Sequence, residues 1–414
     1  MPAMNETVWI SRRRFLEQCS GAGLLLFMDR SAEAQTPSVV SARTPFKLVK
    51  EVQGAFYGAV SPDSRRICVC LTKKPIGSIT LRSNKSQRNI SRDPSGPDVL
   101  SVMELGSWKE IYSVPLSGEA FASDFSFFSD GDRLYGVTEP TPLTKESMVI
   151  DLRSGEIEKH QDKYDPKTSV FGHALKDRIL VGYRGDKLVQ VEWPSLREIA
   201  AISIDREHSF LGFTTDRTRL IHSVGQALVC RRVEDFGVLW TRQIDMAIDL
   251  TSRSTAGVAN ASARYGIAGD GGTVVLAPRR AAYQGKSEAF YVEILNGKDG
   301  KSIARWPRNG YEGVALSPDG KLLAVAKLEE KGPSFGDTPV TGRIKTEDAH
   351  LEPTMHIHEV PSGREIATVI HDRVPVNQRL GGSLSGSNSG FTPDGKYLIT
   401  SNSFNVKIWQ VKRD

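Results

Sequence analysis

The stretch Gly310–Lys327, GYEGVALSPDGKLLAVAK, constrains the fold more than any other. Two short apolar runs, Val314–Leu316 and Leu322–Val325, flank a turn at Pro318-Asp319-Gly320. Asp-Gly between apolar runs is the strongest short-range hairpin signal, because Gly tolerates a positive φ and Asp bonds its own backbone. The same unit returns as SGFTPDGKYLIT around Asp394-Gly395.

Aligning the chain on the turn aspartate yields seven positions: Asp63, Asp130, Asp177, Asp216, Asp270, Asp319 and Asp394. Four residues after each stands an apolar residue: Ile67, Leu134, Val181, Leu220, Val274, Leu323 and Leu398. Three before stands another: Val60, Phe127, Ala174, Phe213, Ile267, Leu316 and Phe391. The preceding column is small, as at Ala59, Gly212 and Gly390, except for His173. Two more strand-like runs follow most hairpins, joined by DLRSG, NGKDG and PSG turns.

Four strands per unit, repeated with little helical periodicity, predict an all-β fold, a seven-bladed β-propeller spanning 45–414. The last unit has only three strands, ending in Asn405–Val411. The lone ribbon Phe46–Val52 is therefore predicted to supply its fourth strand, closing the ring and removing open edges. The ending Val406-Lys407-Ile408-Trp409-Gln410-Val411 resembles the third strand of a WD40 repeat. Trp409-Gln410 stands where that family has Trp-Asp, and Gly172-His173 lies inside a first strand rather than at the family's Gly-His place. The resemblance implies the fold more than any function.

The excess residues are expected on one face. Lys73–Pro97, Thr141–Glu146, Arg280–Ser287 and Leu328–Pro353 would join second to third strands. Asp249–Ala263 and His371–Ser387 would join fourth strands to the next blade. Both kinds of connection emerge at the top of a propeller, and the Asp turns at the bottom. Loops on a rigid scaffold are where binding residues gather. A protein or small ligand is the expected partner of that face; solvated decoration is the alternative reading.

The N-terminus reads as an address. Ser11, Arg12, Arg13, Phe15 and Leu16 resemble the core of a twin-arginine export motif, with Glu17 where Lys is usual. An apolar stretch, Gly21–Met28, precedes Ala32-Glu33-Ala34, a small-x-small cleavage pattern. That stretch is too short to span a bilayer, which needs about 20 residues. The resemblance implies a signal peptide over 1–34, a linker over 35–44, the bacterial twin-arginine machinery as partner, and a periplasmic or secreted, monomeric propeller.

The net charge of +5 is spread along 414 residues without a dense basic block after the N-terminus, which argues against nucleic-acid binding. Cys68 and Cys70, two apart on one strand face, cannot easily bridge each other, so they and Cys230 read as buried thiols, with a reactive or metal-binding pair as the alternative.

Candidate chemistry is sparse. His173, Asp124, His208, Arg264, Tyr311 and Glu312 fall on or near the first strands. Together they could supply a base, a cation and carboxylates to a pocket at the top of the channel. Bonding water or neighbouring backbone is the plainer role. His356 and His358 alternate on one strand face and could share a metal with His350, Glu352 or His371; the same spacing is common in exposed strands. No nucleophile elbow, phosphate-cradling loop or zinc-binding Cys pair is present, and no cofactor is predicted. The absence of a catalytic constellation and the one-sided loop face point to a binding or interaction module. The alternative is a propeller enzyme, resembling lactone hydrolases or quinone-dependent dehydrogenases.

Overall fold

The structure, a computed structural model, describes residues 45–71, 99–116, 119–141, 144–163, 171–204, 208–214, 216–224, 227–243, 265–267, 271–276, 290–308, 313–331, 350–372, 374–375, 389–401 and 405–412. The export motif and its cleavage residues lie outside them.

The chain enters as β1 (Phe46–Gln53) and then runs through antiparallel blades. Blade one is β2 (Ala55–Val60), β3 (Arg66–Leu71), β4 (Val99–Glu104) and β5 (Glu110–Pro115). Blade two is β6 (Glu119–Phe127), β7 (Arg133–Thr141), β8 (Thr144–Asp151) and β9 (Ile157–Lys163). Blade three is β10 (Phe171–Ala174), β11 (Ile179–Arg184), β12 (Lys187–Glu192) and β13 (Arg197–Ser203). Blade four is β14 (His208–Phe213), β15 (Arg219–Val224), β16 (Ala227–Arg232) and β17 (Val238–Gln243). Blade five is β18 (Tyr265–Ile267), β19 (Thr273–Leu276), β20 (Phe290–Asn296) and β21 (Ser302–Arg308). Blade six is β22 (Gly313–Leu316), β23 (Leu322–Lys331), β24 (His350–Glu359) and β25 (Glu365–Ile370), with β26 (Val374–Pro375) added to β24. Blade seven is β27 (Gly390–Phe391), β28 (Tyr397–Ser401) and β29 (Asn405–Val411), completed by β1 in the order β1-β29-β28-β27. The ring is a seven-bladed propeller, and the N-terminal ribbon closes it from Phe46↔Val411 to Gln53↔Asn405. Among the described residues no helix is long and apolar enough to cross a membrane.

Burial explains the strand sequences. Second strands such as RICVCL, ILVGYR and RLIHSV are buried through their central four residues, because both faces pack against neighbouring blades. Fourth strands such as EIYSVP alternate toward solvent. Seven apolar clusters fill the seven junctions. Cys68 and Cys70 pack between blades one and two, and Cys230 between blades four and five, all three buried and free as expected. The closing strand serves two junctions. Phe46 and Leu48 face blade six, and Val49 and Val52 face blade one.

The bottom turns repeat in detail. The residue after each turn aspartate is left-handed: Ser64 (φ 57°), Gly131 (70°), Arg178 (67°), Arg217 (56°), Gly271 (68°), Gly320 (68°) and Gly395 (68°). In blades one, four, six and seven a Ser or Thr two residues before the Asp donates to its carboxylate, for example Ser61 Oγ at 2.6 Å and Thr392 Oγ1 at 2.6 Å. The turns also lean on one another. The Asp394 N–H donates to Ser64 Oγ at 2.9 Å, and a Cβ on Gly131 would meet Asp63.

Four expectations need correction. Blade three pairs Ala174 with Leu180, not with Val181, because its turn is one residue shorter. The Ile179 N–H donates to the Lys176 carbonyl across Asp177 and Arg178, both with positive φ, as in a type I′ turn. Thr141–Glu146 is not a loop, since β7 and β8 pair out to Thr141↔Thr144. Leu328–Pro353 is partly strand: β23 and β24 pair out to Lys331↔His350, leaving 332–349 beyond. The connection after β25 is not all loop either, because β26 pairs with β24 at Leu351↔Val374.

The outer strands carry a feature that the sequence did not announce. Six pair with their neighbours through a bulge, and the extra residue is Val49, Ile111, Ile199, Leu239, Ile303 or Ile366. A bulge re-aims side chains and spoils an edge for further pairing. Among the described residues, four of these account for most of the large exposed apolar side chains.

Candidate functional site

All connections at the Asp-turn end are short, such as 61–65, 175–178 and 317–321. The long ones, 72–98, 244–264, 277–289 and 332–349, all join strand ends at the opposite face. Inner strands run from that top face toward the bottom, which places the sequence candidates. His208 is the first residue of β14, opposite Val224. His173 lies within β10, opposite Val181. Asp124 falls in an irregular stretch of β6, where register passes from Ala120↔Thr138 to Phe125↔Gly136. Arg264, Tyr311 and Glu312 lie outside the described residues.

His356 and His358 are engaged by their own blade. His356 Nδ1 faces Glu365 Oε1 at 3.1 Å and Nε2 faces Thr354 Oγ1 at 3.2 Å. Thr368 Oγ1 lies 3.3 Å from His356 Nδ1. His358 Nδ1 meets the Gly363 carbonyl at 3.1 Å. Among the described residues no three His, Cys, Asp or Glu side chains are grouped as for a metal ion. His350 begins β24 opposite Lys331, and Glu352 pairs with Glu329.

His371 has a different place. After β25 the outer edge of blade six breaks at His371-Asp372 before resuming as β26, and the break turns both residues into the seam with blade seven. Trp409 Nε1 donates to Thr400 Oγ1 at 2.9 Å, and Thr400 Oγ1 meets His371 Nε2. The Asn405 side chain lies near the His371 ring. Asn405 Nδ2 donates to Glu51 Oε1 at 2.9 Å and to Asp372 Oδ2. Lys407, fully buried, donates to Asp372 Oδ1 at 2.7 Å. One relay thus ties the outer edge of blade six, two strands of blade seven and the closing strand.

Its electrostatics follow from burial. Burial, with the nearby Lys407 cation, pushes the His371 imidazole down to about 4, so the ring is neutral. Burial alone would raise Asp372, but the bond and charge of Lys407 hold it below the usual carboxylate range. Burial raises Glu51 against the pull of Lys407, and Asp372 adds to the rise. A neutral His that accepts the Thr400 hydroxyl at Nε2 carries its proton at Nδ1. The arrangement can hold strands together and titrate. It presents no nucleophile and base to a cavity.

A cleft of about 340 Å³ opens low between blades two and three, lined by Asp130, Asp132, Arg133, Asp151, Glu156 and Arg178 among others. Composition did not reveal it, because it forms where two bottom turns of blade two, apart in sequence, meet Arg178 of blade three.

No family model matches the chain, and no curated protein matches it. Among solved structures it is similar to KlHsv2 with loop 6CD replaced by a Gly-Ser linker, at 12% identity over 87% of this chain and 91% of that one, with a TM-score of 0.47. It is also similar to a chain in the crystal structure of a mitotic checkpoint complex, at 13% identity over 94% and 100%, with a TM-score of 0.42. The fold assignment rests on the sheet topology described above.

Proposed function

We propose that the chain is an exported, WD40-like propeller that binds a protein or a small ligand through its top face. The one-sided distribution of long connections carries this reading: they crowd one end of a scaffold whose opposite end is a ring of short, hydrogen-bonded turns. The WD40 likeness rests on the ending Val406–Val411, whose Trp409 is buried and donates its Nε1 proton to Thr400 Oγ1 at 2.9 Å. Export rests on Ser11, Arg12, Arg13, Phe15 and Leu16, with cleavage after Ala34.

The test pairs two variants in the native host. Shortening 74–96 and 333–348 to Gly-Ser links should abolish retention of the partner that the exported form captures, with melting unchanged. Retention at wild-type level would refute the top-face reading. Replacing Arg12 and Arg13 by Lys should strand the protein in the cytoplasm, and normal export would refute the address. A bound chromophore or stoichiometric metal in the native protein would favour an enzyme instead.

A further inference from the structure

Six outer strands are protected by a bulge, and β9 is not. Its pairing with β8 runs without a shift from Thr144↔Lys163 to Ile150↔Ile157, and it contains no proline. Natural sheets blunt their edges with bulges, prolines or charges because a straight free edge is a template for another strand. Lys159, the edge charge at its centre, is held by Glu146 at 2.9 Å.

The direction of the free backbone groups follows from the turn. The Asp151 N–H donates to the Glu156 carbonyl, which makes that pair hydrogen-bonded. Alternation then turns the N–H and C=O of Ile157, Lys159 and Gln161 outward. Side chains of Glu156 and Glu158 share the sheet face of Val149, which pairs with Glu158 and lines the cleft. The cleft has five carboxylates, Asp130, Asp132, Asp151, Glu156 and Glu158, against three guanidiniums. Those guanidiniums are already engaged: Arg133 with Asp130 at 2.6 Å, Arg153 with Asp132, and Arg178 with Glu158. Arg66 reaches Asp132 as well, at 2.7 Å, and the acidic excess survives it.

We propose that the outer edge of β9 binds an extended, basic segment of a partner protein, which adds a fifth strand to blade two and places a lysine or arginine over the acidic cleft. Backbone pairing provides affinity and the cleft selects the side chain, as in strand-addition recognition. A residue opposite Glu156 or Glu158 on an added strand projects on the cleft side of the sheet. This surface is separate from the top face.

The probe is a blocked pentapeptide alternating valine and arginine, titrated into the purified full chain, with the valine–glutamate peptide as control. The arginine peptide should bind, slow amide exchange at Ile157, Lys159 and Gln161, and outcompete the control by about tenfold or more. Lys159→Pro removes one outward N–H and the Glu146 ion pair but no backbone bond to β8, and should weaken binding about tenfold. Glu156→Lys, at an exposed position that leaves backbone pairing intact, should weaken it several-fold, so the proposal remains testable if the proline variant misfolds. No binding, equal binding of the acidic peptide, or indifference to Glu156→Lys would overturn it. So would self-association of the protein that Lys159→Pro abolishes, which would make a second copy the occupant.

Discussion

Acidification should loosen the seam between blades six and seven through one residue, His371. An unfolded histidine titrates at 6.5, and His371 in the fold is pushed down to about 4 by burial and by Lys407. The folded state therefore binds fewer protons than the unfolded chain between these values, and stability falls as pH drops through that window. Above about pH 6.5 the contribution is complete. At about 1.4 kcal/mol per pH unit, the loss reaches about 1.4 kcal/mol near pH 5.5 and about 2.5 kcal/mol near pH 4.5. Asp372, held low by Lys407 against its own burial, loses its share only below the ordinary carboxylate range, and the raised Glu51 works weakly in the opposite sense. Urea unfolding across this range, for wild type and His371→Gln, isolates the term, because every other titrating group is common to both. The wild type should lose about 2 kcal/mol more than the variant between neutral pH and about pH 4.5. Parallel stability profiles would refute the neutral, buried relay.

Three further outcomes follow from the packing. Asp372→Ala strands the fully buried Lys407 and should cost about 3 kcal/mol in urea unfolding, the low end for a buried pair because Asp372 is 33% exposed; a cost under about 0.5 kcal/mol would show that Lys407 finds another partner. Arg217→Gly relieves a left-handed arginine (φ 56°) and should stabilise by about 1 kcal/mol, read as a higher melting temperature; destabilisation would mean that the guanidinium holds the turn. Phe46→Ala empties a site that is 1% exposed between the closing strand and blade six, and should cost about 3–5 kcal/mol in urea unfolding; a change under about 1 kcal/mol would contradict its place in the core.

The repeat was legible because its turns need particular residues. Ser-Pro-Asp-Gly and Thr-Pro-Asp-Gly encode both the carboxylate bond and the left-handed position, so units six and seven align without ambiguity. Blade three misaligned by one because Leu-Lys-Asp-Arg carries a tighter turn without a glycine to mark it. The closing strand was readable from simple counting, since Asn405–Val411 lacked a fourth partner. Outer-strand bulges left no trace: one extra isoleucine in EIYSVP or REIAAIS looks like any strand residue. The extended hairpin of blade six was hidden because LEEK and HLEP lack alternation. His371 was visible as a titratable residue but not as a seam, because its partner Thr400, and the Asn405 and Glu51 that complete the relay, lie on strands distant in sequence. The top-of-channel set could be placed only by backbone, at His208, His173 and Asp124.

Amide hydrogen exchange of β1 tests ring closure most directly. If 46–53 is the outer strand of blade seven, the β1 amides bonded to β29 should exchange about as slowly as those of β28 and β29, through the same cooperative opening. Fast exchange of β1 beside a protected β28–β29 hairpin would mean that the ribbon is not part of the sheet, and the closed seven-blade account would fail.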